Sequence, residues 1–220
     1  MRAILLDTET TGIKDPDVVE LAWVEINEET WSLAPVFQQY FENSKPIEYG
    51  AMATHHIIPS FLDGKPKQDC VASALPDAQY WIGHNIDFDW KALKQPNVKR
   101  ICTLALCRYA YPEADSHSLS AMMYFIHGAN HATRTKLKNA HSAAADILLC
   151  YDILIPLMEK LDIHSLDQLY AVSEDARIPK IMQFGKHKGE PISAVPKAYR
   201  DWYRRQEETD PYLLMAFSRK

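Results

Sequence analysis

Apolar and polar positions along the chain predict strands in the first quarter and mixed strands and helices after it. The run Ala3-Ile4-Leu5-Leu6 is short and β-compatible and predicts a buried strand, closed by the polar stretch Asp7-Thr8-Glu9-Thr10-Thr11-Gly12. Val18–Ile26 is rich in β-branched residues and predicts a second strand. Asn27-Glu28-Glu29 predicts a turn, and residues 31–41 a third strand in an antiparallel meander. Residues 42–67 are loop-rich, punctuated by Pro46, Gly50, Pro59, Gly64 and Pro66, with a short helix over 51–57. Further helices are expected over 70–75, after Asp89 to about Leu93, over 103–109, and from Ser116 or Ser118 to Gly128. Tyr80–Gly83 and residues 98–102 predict two more strands. Residues 130–140 are polar and basic and are expected to form a mobile loop, before His141-Ser142-Ala143-Ala144-Ala145-Asp146 opens a long apolar helix.

The chain's 220 residues suit one α/β domain with a small appendix. A change of composition near Arg177 sets a basic, aromatic tail apart, and the expected division is 1–163 and 164–220. A net charge of −5 excludes a general polyanion binder, so nucleic-acid contact would need a local basic patch or bound metal. The longest apolar stretch, 147–158, carries Asp152 and Pro156 and is too short to span a bilayer. Met1-Arg2 leads straight into the first strand, and Cys70, Cys102, Cys107 and Cys150 lack Cys-x-x-Cys spacing. These features suit free thiols in a cytoplasmic protein with no membrane partner.

The acids carry the chemistry. Side chains alternate along a strand, so Asp7 and Glu9 point the same way, and two adjacent carboxylates cannot both stay ionised without a cation. Hard cations such as Mg²⁺ and Mn²⁺ prefer oxygen donors of this kind. Alone, Asp-x-Glu fits a solvated acidic loop equally well. Asp146 shares a helix face with Leu149, Cys150 and Ile153, where a carboxylate needs a partner or a metal. Glu20 interrupts the second strand and is expected to be a hydrogen-bonded structural acid in preference to a ligand.

Three motifs occur in order: Asp7-Thr8-Glu9-Thr10-Thr11-Gly12, His84-Asn85-Ile86-Asp87-Phe88-Asp89 and His141-Ser142-Ala143-Ala144-Ala145-Asp146. Together they resemble the DnaQ-like branch of the DEDD superfamily of 3′–5′ exonucleases, the branch with a catalytic histidine, over residues 3–160. Within that branch, chain length and Phe184-Gly185-Lys186-His187-Lys188-Gly189 are most similar to a compact exodeoxyribonuclease. The resemblance implies an α/β fold, an RNase H-like mixed sheet flanked by helices, with two divalent cations, Mg²⁺ or Mn²⁺. It implies that Asp7, Glu9, Asp89 and Asp146 hold the metals and that His141 takes the proton from the attacking water. Asp87 competes with Asp89, but the order Asn-x-x-Phe-Asp gives the metal to Asp89 and leaves Asp87 to cap the helix or face substrate. Thr8, Thr10, Thr11, His55, Ile57, Asn85 and Phe88 are the expected substrate contacts, with Ile57 stacking under the terminal base. The implied substrate is DNA at its 3′ ends, single-stranded or duplex. RNA remains an alternative, as in RNase T or oligoribonuclease, as does a proofreading role beside a polymerase.

The tail adds its own signal. Lys180, Lys186, Lys188, Lys197, Arg200 and Arg204 are interleaved with Phe184, His187, Tyr199, Trp202 and Tyr203. That mixture suits neutralisation of a nucleic-acid backbone plus base stacking, with Lys186 and Lys188 on a glycine-flanked turn.

Overall fold

In the computed structural model, which describes residues 2–182, 184–207 and 209–218 and only the backbone of Asn139, the chain builds a five-stranded sheet. Its strands are β1 (Ala3–Thr10), β2 (Val18–Ile26), β3 (Phe37–Tyr40), β4 (Tyr80–Gly83) and β5 (Lys99–Cys102), ordered β3-β2-β1-β4-β5. The first three pair antiparallel, whereas β1 with β4 and β4 with β5 pair parallel. Ten helices are described: α1 (Tyr49–His55), α2 (Pro59–Leu62), α3 (Asp87–Ala92), α4 (Thr103–Ala110), α5 (Leu119–His127), α6 (His131–Lys136), α7 (Ala143–Lys160), α8 (Leu166–Arg177), α9 (Lys197–Tyr203) and α10 (Pro211–Ser218). This is the expected mixed α/β sheet flanked by helices.

β1 lies at the centre of the sheet, so Ala3, Ile4, Leu5 and Leu6 are all buried and read as a continuous apolar run. The polar stretch after them does not turn away at once. Asp7, Thr8 and Glu9 stay in the ladder opposite Ala22, Leu21 and Glu20, and the register slips only between Glu9 and Thr10. The third strand is shorter than expected. Trp31 takes a left-handed backbone (φ 54), and Pro35 brings no N–H to a ladder, so regular pairing begins only at Phe37. The helix expected over 70–75 is instead two separate 3-10 turns, Gln68–Cys70 and Ala72–Ala74.

α7 packs on β1, β2, α4 and α5, and Ala143, Ile147, Cys150, Ile153, Leu154 and Leu157 are among its buried residues, the small Ala143 sitting where the helix begins. Residues 130–140, expected as a loop, fold into α6 and a 3-10 turn, Leu137–Asn139. Asn130 is the reason: its side chain accepts from the N–H of Thr133 (3.0 Å) and caps the helix, while Thr133 itself is buried.

Two compact units result, Met1–Ser173 and Glu174–Lys220. The expected division after Ile163 falls before α8, whose first two turns belong to the sheet unit. Leu166 and Leu169 are fully buried, Asp167 is bonded to the Tyr80 hydroxyl, and Ser173 Oγ accepts from Cys102 N–H at 2.8 Å. The second unit has its own core of Met182, Ile192, Val195, Tyr203, Leu213, Ala216 and Phe217. Among the described residues no helix is long and apolar enough to cross a membrane.

Candidate active site

The alternation of β1 puts Asp7 and Glu9 on one side, and the first turn of α7 brings Asp146 to the same place. One carboxylate oxygen from each of the three lies within 4.8 Å of the others, and all three residues are half-buried, so a ligand can reach them. Asp89, on α3, is buried and pinned to the neighbouring strand residue. Its Oδ1 accepts from Thr8 N–H at 2.9 Å and from the Thr8 hydroxyl at 2.7 Å. It stands outside the group of three but close enough for its charge to act on Asp7 and Glu9.

These acids hold their protons far more tightly than exposed carboxyls do. Burial, then the charges of Asp89, Asp146, Glu9 and Glu20, push Asp7 well above the usual carboxylate range. Burial and the charges of Asp146, Glu20 and Asp89 take Glu9 to about 8. Burial also raises Asp89 to about 7, against the lowering bonds from Thr8, and raises Asp146. Crowded hard-oxygen donors that resist joint ionisation fit a divalent cation, which removes the repulsion by neutralising it.

The same shifts set the pH dependence of stability without metal. A carboxyl whose pKa is raised on folding binds protons better in the folded state, so stability falls as pH rises from the unfolded value, about 4.3 for Glu, to the folded one. The metal-free protein is therefore expected to melt at a higher temperature near pH 5 than near pH 8, the value to which Glu9 is raised. Melting curves in chelator across that interval check it, and a flat profile would show that the acids are not coupled in this way.

Glu20 is the acid that the sequence marks without placing. It lies directly opposite Glu9 and is 1% exposed. Its Oε1 accepts from Gln38 Nε2 at 2.7 Å and from the Ser142 hydroxyl at 3.2 Å. It is thus a hydrogen-bonded structural acid, as expected, while its charge still raises Asp7, Glu9 and Asp146. His141 is exposed just ahead of α7 in a left-handed conformation (φ 72), and its N–H donates to Asp146 Oδ1 at 3.2 Å. The charge of Asp87 adds to the raising of Asp89. Asp87 itself pairs with Arg100, whose guanidinium lies 3.9 Å from the Trp90 ring centroid.

Beside Glu9 opens a cleft of about 230 Å³, walled by Thr8, Thr10, Gly12, Ile13, Glu48, Ala51, His55 and Phe88. Several expected substrate contacts are spent on the walls. The Thr10 hydroxyl donates to Gly12 O, and Thr11 Oγ1 accepts from Asp17 N–H, both residues being buried. His55 is buried with both ring nitrogens engaged. Nδ1 accepts from Ile57 N–H, so Nε2 carries the proton and donates to Thr10 O. Ile57 does not meet a base: it is 6% exposed, packed with Val19, Ile47 and Leu62. Ile13 is the apolar residue at the cleft's rim, 82% exposed. Asn85 is exposed in a left-handed turn (φ 71) that starts α3, and Phe88 forms part of the wall.

Glu48 also lines the cleft and escaped the sequence reading, since no spacing marks it. The signal for it is Gly12. A Cβ there would lie 2.5 Å from the Glu48 carboxyl carbon, so only glycine lets that carboxylate cross the end of β1.

An exonuclease family model, RNase T, matches residues 4–154, a stretch that holds Asp7, Glu9, Asp89, His141 and Asp146. The chain belongs to this exonuclease family. It is 25% identical over 191 residues to exodeoxyribonuclease 10 of Escherichia coli K12, covering 87% of this chain and 84% of that one. It is 28% identical over 174 residues to the DNA polymerase III subunit epsilon of Buchnera aphidicola, covering 67% and 69%. A solved structure of exonuclease X with 5′-overhanging duplex DNA superposes with a TM-score of 0.63 at 24% identity, over 78% of this chain and 99% of that one. The exonuclease identity makes this protein a hydrolase and gives the acidic cluster a divalent-metal role.

The tail of this exonuclease lies beyond the family match. Ile181 and Pro191 form a bridge, and the turn between them carries Lys186 and Lys188, neither of which forms an ion pair among the described residues. Gly185 (φ 72) is required in that turn, where a Cβ would also meet the Tyr199 hydroxyl at 2.6 Å. The rest of the expected basic patch is largely spent. Lys197 and Arg204 pair with Asp201, and Arg200 and Arg204 donate to Phe217 O. Tyr203 is core, whereas Phe184 and Trp202 are exposed.

Proposed function

We propose that the protein is a metal-dependent 3′–5′ exodeoxyribonuclease that releases nucleoside 5′-monophosphates from DNA 3′ ends. The observation that carries this reading is the meeting of Asp7, Glu9 and Asp146, oxygens within 4.8 Å, with Glu9 also lining a cleft of about 230 Å³. The DNA named for its relatives, exodeoxyribonuclease 10 and the epsilon subunit, supports the choice of sugar. Asp7, Glu9, Asp146 and Asp89 would hold two divalent cations, Mg²⁺ or Mn²⁺, which supply water activation and neutralise charge on the departing oxygen. His141 takes the proton from the attacking water as its oxygen bonds to phosphorus and the bond from phosphorus to the 3′-oxygen breaks. The cleft holds the terminal nucleotide, with Ile13 against its base and Glu48, an acceptor, on its 3′-hydroxyl. The deciding experiment offers 3′-labelled single-stranded DNA, duplex DNA and RNA with Mg²⁺, Mn²⁺ or chelator. Labelled mononucleotide from DNA, abolished by chelator, is the expected product, and release of oligonucleotides or insensitivity to chelator would defeat the reading.

Lys186 and Lys188, in the second unit, serve the same substrate by neutralising its phosphates. Reversing both charges should weaken DNA binding for all sequences alike. The log–log salt slope on single strands should become shallower by about 0.7 for each phosphate no longer neutralised. Titrations at several salt concentrations test this, and an unchanged slope would assign the turn to packing.

A further inference from the structure

The basic segment ahead of His141 has no task in the chemistry above, yet it is folded and oriented. α6 is capped by Asn130 and seated through buried Thr133, and Lys136 Nζ is bonded to Asp152 Oδ2 on α7 at 2.6 Å. Thr133 and Lys136 are the residues by which α6 meets the fold, while Arg134 on α6 and Lys138 on the 3-10 turn that follows it are left outward. Both are exposed, and among the described residues neither side chain makes a hydrogen bond or an ion pair. Lys138 is three residues from His141, so their backbones lie within about 11 Å. His141 in turn is hydrogen-bonded to Asp146.

We infer that Arg134 and Lys138 form a docking track for the phosphodiester backbone of the substrate strand, taking phosphates upstream of the scissile one. The inference rests on the nuclease reading for the identity of the partner. Its physical basis is charge: a chain of net −5 with a cluster of carboxylates at its reacting centre repels a polyanion everywhere except where cations stand free. Two such cations, one on α6 and one on the 3-10 turn that leads to His141, supply that attraction, whereas Lys136 is neutralised within the fold.

The test is the double variant Arg134→Ala/Lys138→Ala beside the wild-type protein, read in three ways. Binding of a fluorescent single-stranded 20-mer in chelator should weaken, and its log–log salt slope should become shallower by about 1.4, at 0.7 per phosphate. With Mg²⁺, KM for the 20-mer should rise about tenfold or more while kcat stays within twofold. Hydrolysis of thymidine 5′-(p-nitrophenyl) phosphate, which carries a single phosphate, should be unchanged. Equal binding and equal salt slope in the two proteins would overturn the track, as would a parallel loss on the small ester, which would show that the helix acts through His141. A wild-type protein that binds the 20-mer but never cleaves it would defeat the nuclease reading alone, because the chelator measurement reads the track without turnover.

Discussion

Asp7→Asn is expected to reduce DNA hydrolysis by about 10⁴-fold or more, the scale of loss when one member of a catalytic unit is removed. Asp7 is raised by burial and by four neighbouring acids. The amide keeps the volume and removes the charge, so it takes away a donor for the cation while relieving repulsion in the metal-free fold. The variant should therefore melt at a higher temperature than the wild type in chelator, by about 2–4 °C per kcal/mol of repulsion relieved. It should also lose most of the stabilisation that Mg²⁺ gives the wild type. Assays on labelled DNA and paired melting curves with and without Mg²⁺ decide it. Near-normal turnover, or a lower melting temperature in chelator, would show that Asp7 is a structural acid.

His141→Ala should behave differently. A general base contributes about 10²–10⁴ in rate, so kcat falls on that scale. The bond that orders the turn is donated by the backbone N–H of residue 141 to Asp146, and alanine retains it. Mg²⁺-dependent stabilisation and KM for DNA should accordingly stay close to the wild type. The left-handed backbone at this position adds a modest cost in stability for alanine as for histidine, and His141→Gly separates that cost from the chemistry. Loss of cation binding in the alanine variant would make His141 a ligand.

The acids of β1 are legible in the sequence because strand alternation is strict: once Ala3–Leu6 is a strand, Asp7 and Glu9 must share a side. α7 is legible from its alanines and its apolar spacing. The differences elsewhere have specific causes. Residues 130–140 look like a loop because they are polar, but a helix with one buried Thr133 and a good asparagine cap needs little apolar surface when it leans on a longer helix. Ile57 is buried, against the expectation of a base contact, since an isolated apolar residue carries no sign of which way it faces. Ile57 is drawn into a core made by Val19, Ile47 and Leu62, from segments far apart in the chain. Glu48 is invisible for the same reason, its place being set by its approach to Gly12. The division between units comes later than the expected break after Ile163 because the first two turns of α8 are bonded to β4 and β5, partners the local pattern does not show.

The central position of β1 makes isotope labelling a gauge of metal occupancy. Bonded to β2 along one edge and, over Ala3–Leu5, to β4 along the other, with Thr8 N–H held by Asp89, its bonded amides are expected to exchange with solvent only when the sheet unit opens. A cation held by acids on that strand slows such opening by the factor one plus the ratio of its free concentration to its dissociation constant. Thr8 N–H, which is bonded to Asp89 Oδ1, should follow that factor closely, whereas amides in short, peripheral α6 should exchange by local fraying and ignore it. Deuterium uptake at a few Mg²⁺ concentrations would thus yield a cation affinity even for variants that no longer cut DNA.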